Sequence, residues 1–121
     1  MTRIAATIDL DGPGMQHGYL KVPHSTHDSA YGWIPVPITV AANGSGPSVL
    51  LVAGNHGDEY EGQIALMKLV RSLDPSRLRG RLIVLSAANY PAVMAGAASR
   101  RSTTAISTAA SRATPTARRR R

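Results

Sequence analysis

Two apolar, β-prone runs frame the most constraining stretch of this chain: residues 48–53 (SVLLVA) and 81–87 (RLIVLSA), with a helical period between them. A continuous apolar run is what a strand shows when both of its faces are covered, so 48–53 is predicted to be a central strand. After Gly54-Asn55-His56-Gly57 the period changes: Leu66, Leu69, Val70 and Leu73 recur at helical spacing while Lys68, Arg71 and Ser72 fall opposite them. That spacing predicts a helix over about 59–73. Asp58 with Glu61 three residues on reads as a capping box at its start, and Pro75 marks its end. Strand, helix and strand within about 40 residues make a βαβ unit, whose strands are expected to be parallel with a right-handed crossover. The fold class is α/β.

The N-terminal part reads as β structure broken by turns. Residues 4–8 and 19–22 are short, β-prone and bounded by Gly and Pro. Residues 34–40 (IPVPITV) carry Pro35 and Pro37, so a strand there should lie at a sheet edge or begin late. Asn43-Gly44 marks the turn that follows. At 121 residues the chain has room for one small domain. It shows neither a signal-peptide h-region nor an apolar run long enough to span a bilayer, which points to a soluble cytoplasmic protein with no membrane partner.

Chemistry concentrates in GNHGDEYEG, residues 54–62, between the apolar strand and the helix it feeds, where open α/β sheets place their sites. His56 and Glu59 form an H-x-x-E pair, one imidazole on the loop and one carboxylate in the first helical turn, near enough to converge on one cation. With no cysteine in the chain, a metal must be held by His and carboxylate. Gly54 and Gly57 would let the backbone turn tightly around it. Asp58 and Glu61 fit the capping role and the helix macrodipole without a metal. His17, His24 and His27 read as surface or loop histidines.

The formal net charge of +7 would ordinarily suggest a polyanion partner. Its distribution argues otherwise. Residues 1–96 hold seven basic and seven acidic residues, and 97–121 hold seven Arg and no acid. That tail is Ala, Thr, Ser and Arg with one Ile and one Pro, a composition that cannot bury a core and is expected to be disordered. It has no aromatic residue to stack on bases. A small basic nucleic-acid-binding protein using the Arg-rich tail is the alternative reading, and it ranks below the metal site.

The segment GPSVLLVAGNHGDEYEGQIALMKLVRSLDPSRLRGRLIVLSAANYPAVMAG, residues 46–96, resembles the succinylglutamate desuccinylase/aspartoacylase family of zinc hydrolases. Within it, the likeness is strongest to the branch that deacetylates N-acetyl-diaminobutyrate in ectoine breakdown. GWIPVPITVAANG, residues 32–44, fits the strand that leads in. The resemblance implies the N-terminal part of a zinc carboxypeptidase-like fold and hydrolysis of the amide bond of a small N-acyl amino acid, with one Zn²⁺ and no nucleic acid. It maps the motif's two zinc ligands onto His56 and Glu59. The family's third ligand, a His further along, its general-base Glu, and the Arg of an N-x-N-R motif that holds the substrate carboxylate have no counterpart here, although the preceding NYPA, residues 89–92, is present.

Family members continue past this point with something close to RLSPLDDGNLNRSFPGDADGTA. Written in GC-rich codons and read one nucleotide later, that peptide becomes ASRRSTTAISTAASRATPTAR, the sequence of residues 98–118. The synonymous codons can be chosen to fit, but the first two positions of most codons cannot. Residues 1–96 are therefore read as the N-terminal part of a deacylase domain and 97–121 as an out-of-frame tail. A chain with two of three ligands is expected to be inactive, and a partial sheet to be marginally stable or to aggregate.

Overall fold

In the computed structural model, which describes residues 3–24 and 32–98, the longest pairing is an antiparallel ribbon. Its strands are β2 (Gly14–Pro23) and β3 (Trp33–Asn43), in register from Gly14 opposite Ala42 to Pro23 opposite Trp33. Successive side chains of a strand point to opposite faces. Val36, Ile38 and Val40 accordingly line one face, all buried, while Ala41 is buried on the other. A short β1 (Ala5–Ala6) flanks β2, and β4 (Ser48–Val52) and β5 (Gly80–Leu85) complete one mixed sheet of order β1-β2-β3-β5-β4. Helix α1 (Tyr60–Ser72) links β4 to β5, and α2 (Tyr90–Ala95) follows β5. A 3₁₀ turn at Pro75–Arg77 lies between α1 and β5.

The βαβ unit is present, with β4 and β5 parallel. Helix α1 packs on β5, and α2 packs on β3. Among the described residues no helix is long and apolar enough to cross a membrane. The expected disorder of residues 97–121 concerns positions that, from residue 99 on, lie outside the described residues, as does His27.

Several sequence expectations are corrected. Residues 48–53 are not central: β4 is the last strand of the sheet among the described residues, and Val49, Leu50 and Val52 are 46%, 58% and 46% exposed. An apolar run specifies covered faces without naming the neighbour, and here β5 returns from α1 to insert between β3 and β4. Residues 34–40 belong to an eleven-residue strand in the sheet interior, not at its edge. The prolines are tolerated because β5 pairs only with Thr39–Asn43, so Pro35 and Pro37 face Lys21 and Tyr19 on one side and, among the described residues, have no strand on the other.

Strand β1 is shorter than residues 4–8 because the chain turns after Ala6. The Asp9 amide donates to the Gln16 side chain (3.2 Å), whose Nε2 donates back to the Asp9 carbonyl (2.7 Å). Strand β2 is longer than 19–22, its register with β3 continuing to Gly14. The capping box does not form. Glu59 occupies the N-cap of α1 with no side-chain cap bond, one residue after the Asp58 that was to fill it. Helix α2 went unanticipated although its punctuation is present: Pro91 in the first turn and Gly96 in the left-handed conformation (φ 59°) at its end.

Candidate functional site

The loop that leaves β4 is held from below before its side chains are placed. Ala53 donates to the Leu85 carbonyl (2.8 Å), and its own carbonyl accepts from Ala88 (2.9 Å). The Gly54 carbonyl accepts from the Asn89 amide (2.8 Å), the Asn55 carbonyl from Asn89 Nδ2 (3.1 Å), and the Gly57 amide donates to the Ala97 carbonyl (2.8 Å). The loop is thus fastened to the turn after β5 and to the end of α2.

The two glycines, expected to let the backbone turn tightly, also serve this fastening. Gly54 has φ +74°, and a Cβ there would stand 2.8 Å from Ala87 Cα. At Gly57 a Cβ would overlap the Ala92 carbonyl group. Both positions are glycine because backbone passes against backbone.

On that base the structure brings His56 and Glu59 together, His56 Nδ1 lying 3.0 Å from Glu59 Oε1, with both side chains more than half exposed. A proton on Nδ1 donates to the carboxylate and leaves Nε2 as the ring's acceptor. The hydrogen bond and then the charge of Glu59 hold the His56 imidazole above its ordinary pKa against desolvation, with a lesser contribution from Asp58. Two donors on one tetrahedral Zn²⁺ stand about 3.4 Å apart when each is roughly 2.1 Å from the ion. A nitrogen and an oxygen 3.0 Å apart, open to solvent on one side, fit two positions of such a site with little movement. Among the described residues no third His, Cys, Asp or Glu joins them. His17 lies away from the loop, on β2, bonded to Thr39 (2.9 Å), and His24 donates its amide to the Gly32 carbonyl (3.0 Å).

One residue that organises the site escaped the sequence reading. Gln63 is the buried polar side chain among the described residues, and its Nε2 donates to the carbonyls of Glu59 (3.0 Å), His56 (3.3 Å) and, at the limit of a bond, Gly57 (3.5 Å). It ties both site residues' backbones to the helix. Its signal was positional: Gln63 falls on the same helical stripe as Leu66 and Val70, where a polar residue needs internal partners.

Residues 45–107 match the succinylglutamate desuccinylase/aspartoacylase catalytic domain, a match that runs past Gly96 into the Arg-rich segment. The chain is 48% identical over 93 residues to the N-alpha-acetyl-L-2,4-diaminobutyric acid deacetylase of Halomonas elongata, covering 77% of this chain and 27% of that one. Its fold is similar to the product-bound ectoine utilization protein EutE (DoeB) of Ruegeria pomeroyi, with TM-score 0.77, 49% identity, and coverage of 81% of this chain and 30% of that one. It is also similar to a succinylglutamate desuccinylase/aspartoacylase from Rhodobacter sphaeroides, with TM-score 0.73, 51% identity, and coverage of 79% and 29%. The chain therefore spans less than a third of the length of these relatives. By the family match, the loop and the fold that carries it, the chain belongs to the succinylglutamate desuccinylase/aspartoacylase family.

Proposed function

We propose that this chain is the N-terminal part of a zinc-dependent hydrolase that cleaves the amide bond of an N-acyl amino acid, a small cytoplasmic metabolite, and that on its own it is inactive. The observation that carries the reading is the His56–Glu59 pair, 3.0 Å apart at the carboxyl end of a parallel strand. The deacetylase and desuccinylase relatives supply the reaction class. His56 and Glu59 would hold the ion. Zn²⁺ held there would supply Lewis-acid polarisation of an acyl carbonyl and a water of lowered pKa. Gln63 and Asn89 hold the loop backbone so that the two ligands stay paired. Two ligands without a third bind zinc weakly, and without the family's general base and substrate-binding Arg no turnover follows.

The gene supplies the test. Read in the alternate frame from about codon 97, it should encode a longer product that hydrolyses N-acetyl-diaminobutyrate or N-succinylglutamate and loses that activity in His56→Ala. A product inert toward both substrates overturns the function. For the chain as it stands, competition with a chromogenic chelator should detect weak zinc binding that disappears in His56→Ala, and unchanged stoichiometric binding in that variant overturns the metal assignment.

A further inference from the structure

The turn that follows β5 holds the site loop by two kinds of bond. The Asn89 amide on the Gly54 carbonyl and the Gly57 amide on the Ala97 carbonyl are main-chain bonds (2.8 Å each), indifferent to the side chains at 89 and 97. The Asn55 carbonyl is held differently. Its donor is the side chain of Asn89, through Nδ2 (3.1 Å), from 34 positions away, and Asn55 itself is exposed, so without that donor the carbonyl turns to water. Asn89 occupies the N-cap of α2 yet makes no side-chain cap bond. An N-cap side chain ordinarily accepts from the amide two or three residues on. Pro91 has no amide hydrogen to give, and the Ala92 amide already donates to the main-chain carbonyl of Asn89 (3.0 Å). The start of α2 is therefore satisfied without the Asn89 side chain, and a residue type that usually caps a helix serves the loop instead.

We propose that Asn89 is a positioning residue for the hydrolysis: resting on the zinc-site reading above, it fixes the Asn55 carbonyl and so sets the direction from which the His56 imidazole meets the metal. A peptide unit is planar, so the Asn55 carbonyl and the His56 amide turn as one body. On the far side of the same Cα, Gln63 Nε2 holds the His56 carbonyl (3.3 Å). With both flanking planes held, the His56 backbone has no soft dihedral left, and the imidazole is placed by its side-chain torsions alone. Those torsions bring Nδ1 to 3.0 Å from Glu59 Oε1. Glu59 takes its own place from α1, with the Gln63 amide on its carbonyl (3.0 Å). The two ligands thus depend on different parts of the molecule, Glu59 on the helix and His56 on the helix and the turn after β5 together. Removing the Asn89 donor leaves Glu59 in place and lets the His56 backbone swing. The metal must then re-form the pair when it binds, and affinity falls by the cost of that ordering.

Asn89→Leu keeps the size of the side chain and the main-chain bonds of residue 89 but removes the donor. In competition with a chromogenic chelator, that variant of the full 121-residue chain should bind Zn²⁺ about tenfold more weakly than the unmodified chain, with its urea midpoint nearly unchanged. A second measurement needs no metal. With the ring neutral, NMR of the His56 ring nitrogens should report the Nδ1–H tautomer bonded to Glu59 in the unmodified chain, and a shift toward the Nε2–H tautomer in Asn89→Leu. Asn89→Asp, whose carboxylate suits the N-terminus of α2 but cannot donate, should follow Asn89→Leu in the tautomer reading. Asn89→Gln, which keeps a donor, should return toward the unmodified chain in both measurements. Zinc affinity unchanged in Asn89→Leu, a His56 tautomer that does not move, Asn89→Asp behaving as the unmodified chain does, or an affinity loss matched by an equal loss of global stability each overturns the proposal alone. An unmodified chain that binds no Zn²⁺ overturns the zinc reading and the proposal with it, so the two failures are told apart.

Discussion

Val40 in β3 and Val49 in β4 are the same residue, each within a strand of one sheet, yet the first is fully buried and the second is 46% exposed. Val40 has β2 on one side, β5 on the other and apolar side chains along its face, whereas Val49 has β5 alone. Burial is a property of the neighbours a strand acquires, and hydrophobicity only makes that burial favourable. The β2–β3 ribbon with β5 is the finished half of the molecule. The β4–α1 arm, with Tyr60, Ile64 and Met67 about half exposed on its helix, is the unfinished half, and it carries the site.

The largest effect is expected where the two halves are fastened. Gly57→Ala drives a methyl into the Ala92 carbonyl and should cost about 3 kcal/mol or more, read by urea denaturation. A change near zero would mean that the loop is not anchored on α2. Next comes the comparison itself: Val40→Ala should cost about 2 kcal/mol and Val49→Ala less than half of that, since little is left to lose at a side chain already in water. Equal losses would erase the distinction between the halves. Gln63→Leu removes the donor to the loop carbonyls and should cost about 1 kcal/mol, with faster hydrogen exchange confined to the site loop.

The smallest effect is electrostatic. The folded His56 imidazole holds its proton more tightly than the unfolded one, so the pair favours folding below the ordinary histidine pKa. That contribution is lost as pH rises through the raised value. The pair is solvent-exposed, so the readout is titration rather than stability: in an NMR titration Glu59→Gln should move the His56 midpoint down toward the ordinary value. A midpoint unchanged by that substitution would remove Glu59 as the cause.

What could be read from the sequence follows from the range of the interactions involved. The strand–helix–strand unit and the meeting of His56 with Glu59 depend on periodicity and a three-residue spacing, and both are legible in adjacent residues. The position of β4 depends on where β5 returns, a pairing of Val84 with Thr39 that no local pattern records. The interior place of Pro35 and Pro37 was hidden for the same reason, since it rests on where the β3–β5 pairing stops. At the helix start, the motif that looked like a capping box does not form, because the helix begins one residue later with Glu59 as its N-cap, while Gln63 separately ties the loop carbonyls to the helix. The same range explains why α2 was overlooked: six residues show too little period to register.

Arg81 gives this long-range character a consequence in time. Its guanidinium donates to the Leu10 carbonyl and the Asp11 carboxylate, 71 and 70 residues earlier in the chain. At ribosomal rates the 38 residues from Asn43 to Arg81 take about 2 to 8 s to emerge. The β2–β3 ribbon, which leaves the ribosome first, therefore spends seconds as a two-stranded hairpin with Val36, Ile38 and Val40 uncovered, a state that is at best marginal by itself. The arrival of residue 81 lets β5 pair along the edge of β3 and pins the N-terminal turn in the same event, and α2, which packs on β3, follows later still.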